Sequence, residues 1–143
     1  MGIKIFIIMS FGAKKIFPID TRPGTGVGIG LPFNAPAVFP ITYTTQEAIK
    51  NNLINFFLTN KNERYLNPLF GGNLRAFIFQ QISEGNIDSL KEDIQSQLGL
   101  YFPNVIIGSL NIDSYPDINQ ISVTLKYSIK DTGLTDTIQL AFT

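Results

Sequence analysis

Apolar positions along this chain change their spacing twice. From Thr44 onward the spacing is helical: Ile49, Leu53, Phe56 and Phe57 fall at i, i+4, i+7 and i+8 and mark one face. Thr44 and Glu47 stand at the spacing of a capping box, in which a hydroxyl and a carboxylate satisfy orphan helix amides reciprocally. This first helix is predicted to end near Thr59-Asn60. A polar loop over residues 60–72 follows and closes on Gly71-Gly72. A second helix is predicted from near Asn73, with Leu74, Phe77 and Ile78 inward, broken by the segment Ser83 to Asn86. A third is predicted from about Ile87 to Leu98, with Ile87, Leu90, Ile94 and Leu98 on one stripe and Gly99 as its stop.

The period then shortens to two. Val105 to Ile112 is a strand candidate. Ile121, Val123, Leu125, Tyr127 and Ile129 alternate with Ser122, Thr124, Lys126 and Ser128, as in a strand with one buried face. Asp131-Thr132-Gly133 reads as a short hairpin turn, and Ile138, Leu140 and Phe142 alternate in a last strand. Three helices followed by a three-stranded antiparallel meander make an α+β fold.

Before the first helix the pattern belongs to neither class. Pro18, Pro23, Gly24, Gly26, Gly28, Gly30, Pro32, Pro36 and Pro40 forbid a long helix or a central strand. Interleaved Phe17, Val27, Ile29, Leu31, Phe33, Val38 and Phe39 argue against a free linker. Residues 1–40 are therefore expected to form an extended arm, lying on its own domain or on a partner, and residues 41–143 a single α+β domain. The apolar run Ile3 to Met9 is too short to span a bilayer, which takes about 20 apolar residues. It reads as a strand or ordered arm, with Met9 as a second possible start.

Composition narrows the chemistry. The 143 residues contain neither cysteine nor histidine. Disulfides, thiolate and imidazole metal sites, cysteine nucleophiles and Ser-His-Asp triads are excluded. Eleven basic residues balance eleven acidic ones, so nothing marks a nucleic-acid or anionic-membrane partner. The spacing of Gly24, Gly26, Gly28 and Gly30 makes no phosphate-binding motif, and no EF-hand spacing is present. No cofactor and no metal are expected. A glycosidase would need two carboxyls about 5–10 Å apart across a cleft. Glu47, Glu63, Glu84 and Glu92 are available, but nothing in the sequence places a matched pair, so no enzymatic activity is expected. Charged residues are only 15% of the chain while Phe numbers 12, a balance that suits life in an assembly.

The loop after the first helix is more specific. Asn62-Glu63-Arg64-Tyr65-Leu66-Asn67-Pro68-Leu69-Phe70-Gly71-Gly72-Asn73-Leu74-Arg75 resembles the signature of the T4-type phage-tail baseplate wedge family, sometimes labelled lysozyme-like. That signature has a Gly-Glu-Arg-Pro-like turn, then Asn-Pro, then Phe-Gly, then a helix opening with Leu. Gly28-Ile29-Gly30-Leu31-Pro32-Phe33 is similar to the family's lead-in. Thr45 to Leu53 and Leu58-Thr59 are similar to its first helix, and Val123 to Tyr127 to its terminal strands. The resemblance runs from about residue 17 to the end. Two positions depart from it: Asn62 stands where the family has Gly, and Tyr65 where it has Pro.

The resemblance implies a structural protein of the virion, in the tail baseplate and assembled in the host cytoplasm. It implies a link between the wedge core and the first sheath ring, initiation of sheath assembly at a β-edge, and baseplate wedge and tail sheath proteins as partners in a six-fold assembly. The alternatives are a peptidoglycan-degrading tail enzyme, or the equivalent wedge part of a bacterial contractile injection system. On this reading Glu63, Arg64, Asn67, Pro68, Phe70, Gly71 and Arg75 form the wedge-docking loop, and Ile138, Leu140 and Phe142 the β-edge. The residues themselves leave a plainer account open. Glu63 and Arg64 can be a solvated pair, or Glu63 can pair internally with Arg75. Pro68, Gly71 and Phe70 can simply shape the turn and staple the second helix. The last strand, with no charge after Asp136, needs a cover, either residues 1–17 in cis or a partner strand in trans.

Overall fold

Helix α1 (Thr45–Leu58) begins where the capping signal placed it. The Thr44 hydroxyl accepts from the Glu47 amide at 3.3 Å. A second cap comes from the preceding segment: Asp20 Oδ1 accepts from both the amide and the hydroxyl of Thr45 at 2.9 and 2.6 Å. A carboxylate there also opposes the positive end of the helix dipole. The helix stops at Thr59, which is extended and whose hydroxyl donates back to Asn55 O at 2.6 Å.

These details come from a computed structural model that describes residues 17–31, 40–80 and 84–143. The apolar run Ile3 to Met9, together with Pro32, Phe33, Pro36, Val38 and Phe39, lies outside the described residues. The described part of the Pro/Gly segment lies along α1. It holds a 3-10 turn at Pro18–Thr21 and strand β1 (Gly28–Ile29), which pairs antiparallel with β2 (Ile41–Thr42). A Cβ on Gly28 would come within 2.9 Å of Ala48 Cβ, so glycine permits this strand its close approach to the helix.

Helix α2 (Leu74–Ile78) is short and turns Leu74, Phe77 and Ile78 inward, as their spacing predicted. Helix α3 (Glu84–Tyr101) is longer than predicted. Gly85 and Asn86 lie within it, and it runs through Gly99. Hypothetical side chains at Gly85 and Gly99 would meet open space, so each glycine costs only its propensity, about 1 kcal/mol. Leu90, Ile94 and Leu98 are buried along the helix and outweigh that cost. Pro103 ends the helix, because it disfavours α geometry at Phe102.

The meander has the order β3-β4-β5, formed by β3 (Val105–Tyr115), β4 (Gln120–Ile129) and β5 (Thr135–Phe142), all antiparallel. Strand β3 extends three residues past its predicted end. It also carries a bulge between Ile107 and Ser109, at Gly108. The bulge explains a parity change in the sequence. Val105 and Ile107 occupy odd positions and Leu110 and Ile112 even ones, yet their register partners Ile129, Tyr127, Leu125 and Val123 are all buried on one face of β4. Cross-strand pairs Leu125–Ile138 and Ile121–Phe142 continue that face into β5.

The sheet packs on the helices through one hydrophobic core. At its centre the Phe56 ring meets Phe57, Phe70 and Phe102 edge-to-face, at centroid distances of 5.5, 5.3 and 6.0 Å. Such contacts add to the area each ring buries. Phe56→Ala removes the hub of three contacts at a fully buried site, and the expected loss is about 3–5 kcal/mol of unfolding free energy, read as a shift in urea midpoint.

Candidate functional site: a braced loop and the margin of the sheet

The loop over residues 60–73 is anchored at both ends. At its start the Glu63 carboxylate folds back on its own turn, accepting from the Asn60 amide at 2.9 Å and from Asn60 Nδ2 at 2.8 Å. Asn62 adopts φ 70°, the left-handed region that the glycine of the family signature would favour. Its amide donates to Pro68 O at 2.7 Å and closes the loop. At the far end the Gly72 amide donates to Phe56 O at 2.9 Å. Gly71 has φ 127°, and a Cβ there would lie 2.4 Å from the Thr59 carbonyl oxygen. Only glycine lets the chain pass the end of α1 so closely.

Phe70 joins the loop to the core. It is buried, and its ring meets Phe56 on one side and Tyr101 at 5.0 Å on another. The Arg64 guanidinium carbon sits 3.8 Å from the Phe70 ring centroid, a cation–π contact. Tyr101 also donates its hydroxyl proton to Asn67 Oδ1 at 3.0 Å. Lys61 reaches helix α3 through a 2.6 Å ion pair with Asp93, which also accepts from Gln97.

Of the predicted docking residues, Glu63, Arg64, Asn67, Pro68, Phe70 and Gly71 share this loop. Glu63 is turned to Asn60, Phe70 and Gly71 are buried, and Arg64 and Pro68 are exposed. Arg75 forms no ion pair with Glu63; its charge acts on that carboxyl only at longer range. Arg75 instead lines a groove with Leu58, Ile78, Phe79, Ala141 and Phe142, at the end of β5. Arg75 of the predicted docking set and Phe142 of the predicted edge thus meet there.

At the β-edge, Ile138 and Phe142 are 3% and 4% exposed and Leu140 packs against the core. Their side chains hold the strand to its own domain. The backbone of β5 is the part left at the margin of the sheet. Asp136 at the start of β5 pairs with Lys50 of α1 at 3.0 Å and accepts from the Thr137 amide at 2.7 Å. Burial alone would raise the Asp136 pKa, but Lys50, Thr137 and Tyr127 together bring it below the ordinary carboxylate value. Cross-strand from it, Tyr127 is held above the usual tyrosine range by burial first and by the Asp136 charge second. The Tyr127 hydroxyl has no partner at strict hydrogen-bond geometry; Asp136 acts on it as a nearby charge.

Residues absent from the predicted site are its most exposed. Tyr65, Leu66 and Leu69 are 97%, 94% and 69% exposed, and Phe79 is 89% exposed. For Tyr65, Leu66 and Leu69 the signal in the sequence is apolar side chains inside a polar loop, at a spacing that serves neither a helix nor a strand; Phe79 instead caps the end of α2.

The fold class and the site can now be set against known proteins. No protein-family model matches the chain. The fold is shared with a solved Geobacter sulfurreducens protein described as a tail lysozyme, at a TM-score of 0.59 and 17% identity, over 69% of this chain and 90% of that one. A chain of the anti-feeding prophage baseplate overlays at a TM-score of 0.47 and 16% identity, over 76% of each chain. In sequence, the chain is similar to baseplate wedge protein gp25 of Enterobacteria phage T4, with 26% identity over 84 residues. That match covers 59% of this chain and 64% of the relative, less than two thirds of its length. The resemblance read from the loop and helix motifs is thereby met by similarity to a baseplate wedge protein.

Hydrogen bonds from Asn60, first through its amide and then its side chain, hold the Glu63 carboxyl below its ordinary value of 4.5. Because the folded-state value is the lower one, the bonds' contribution to the loop is complete above that ordinary value. It is lost as pH falls through the lowered one. A carboxyl-carbon NMR titration is expected to give Glu63 a midpoint below 4.5, moved part of the way back in Asn60→Ala. A midpoint at 4.5 would contradict the braced turn.

Proposed function

We propose that this chain is a structural wedge component of a contractile-tail baseplate, carried in the virion. On this reading residues 1–40 form an arm and residues 41–143 the wedge domain. The observation that carries it is the braced loop with exposed apolar side chains, in a chain similar to a baseplate wedge protein. The loop would dock to other wedge proteins. The sheet would receive a strand from a tail sheath protein, linking wedge core to first sheath ring and starting sheath assembly, with six copies by analogy with six-fold tails.

The two sheet margins differ, and the difference supports β5 as the receiving strand. Strand β3 is interrupted by its bulge at Gly108, a common protection of an edge. Strand β5 pairs with β4 without a register shift over Thr135 to Phe142, and carries no charge after Asp136. An incoming strand would find a regular ladder, with main-chain bonds supplying affinity.

Assembly fits these residues better than peptidoglycan cleavage. A glycosidase acid needs a raised pKa, whereas Glu63 and Asp136 are both shifted downward by hydrogen-bond partners. Asp93 is paired with Lys61.

Electron microscopy of particles made without this chain tests the reading. Tail tubes lacking sheath, or unfinished wedges, are expected; intact sheathed tails would contradict it. A Gln139→Lys/Ala141→Lys variant, altered at two exposed β5 positions, is expected to keep the baseplate and lose the sheath.

A further inference from the structure

Two of the most exposed large side chains among the described residues are neighbours in the chain, and they stand on a fixed backbone. Tyr65 and Leu66 occupy the tip of the loop, with Leu69 beside them. The tip is bounded by the Asn62 amide bond to Pro68 O and by the Asn67 amide bond to Arg64 O at 3.2 Å. Asn67 is held in turn by Tyr101 on helix α3. Apolar groups on a loop that is already ordered have the character of a binding anchor. The backbone entropy of arranging them is already lost in the free protein, and their burial is still to be gained.

The charged neighbours define what such an anchor fits. The exposed Glu63 carboxylate is engaged by Asn60, and Lys61 is paired with Asp93. Arg64 lays its guanidinium on Phe70 and forms no ion pair among the described residues. A guanidinium stacked by one face still presents N–H groups at its rim, where a carboxylate can accept. The exposed surface around the tip is therefore apolar at its summit, with the Arg64 guanidinium and the ionised Glu63 carboxylate at its base.

We infer that Tyr65, Leu66 and Leu69 are the anchor of this loop, seated in an apolar groove of a different baseplate chain whose rim carries a carboxylate facing Arg64. Glu63 shapes the turn through Asn60. The inference rests on the baseplate reading above and assigns most of the binding energy of that loop to its three apolar side chains, with Arg64 as the polar contact.

The test uses the full chain in assembled particles. Benzoylphenylalanine, a photo-crosslinker, is placed at position 65 in one sample and at position 139 in another. Position 65 is expected to crosslink to another baseplate chain, within an apolar segment bordered by Asp or Glu. Tyr65→Ser/Leu66→Ser is expected to lower incorporation into particles by about tenfold or more, with the melting temperature of the isolated chain unchanged. Leu100→Ser, the loss of another exposed leucine, is expected to leave incorporation intact. Crosslinks from position 139 alone, crosslinks from 65 only to a second copy of this chain, or an equal loss in Leu100→Ser would overturn the anchor while leaving the baseplate reading standing. A chain absent from purified particles, with no crosslink from either position, would overturn both.

Discussion

Phe70 is the residue on which the rest of this structure turns. Its ring lies between Phe56 of α1 and Tyr101 of α3, while its backbone belongs to the loop. A loop of this length ordinarily gains little from its own hydrogen bonds, because each replaces a bond to water. Here those bonds act on a segment whose far end is already fixed by a buried aromatic, next to the passage at Gly71. The same ring carries Arg64 on its outer side. Core packing, loop shape and the placement of the exposed tip therefore share one origin.

A second constraint links the loop to the sheet. Lys50 on the helix preceding the loop is paired with Asp136 at the start of β5. Ile138, Leu140 and Phe142 then hold that strand down by its side chains. The result is a margin whose inward half is spent on stability and whose backbone remains at the border of the sheet. The bulge at Gly108 makes the opposite margin irregular. The described residues thus hold two dissimilar features, an exposed apolar loop tip and a strand paired in regular register.

Much of this was legible before any coordinates. The capping spacing of Thr44 and Glu47, the inward triad of α2 and the alternation of β4 are local signals, and each produced the expected element. Helix α3 starts before Ile87 because the poor helix propensity of Gly85 and Asn86 is overridden by the apolar stripe, the glycine facing open space. The end of β3 and its bulge were missed because the parity change at Gly108 means something only once a partner strand is known. The loop was recognisable from its motif, but the roles inside it were not. Whether a carboxylate faces solvent or its own turn depends on the fold of a few residues. The resemblance singles out Glu63 and Arg64 and gives no role to Tyr65 and Leu66, which carry the most exposed apolar side chains of the loop.

The central claim is that the loop is braced in the free protein rather than shaped by a partner. Amide hydrogen exchange of the isolated chain tests it most directly, at the amides of Asn62, Phe70 and Gly72, which donate to Pro68, Asn67 and Phe56. The account predicts that these amides exchange far more slowly than those of an unstructured peptide. Exchange at free-peptide rates across the loop, with α1 and the sheet still protected, would contradict it.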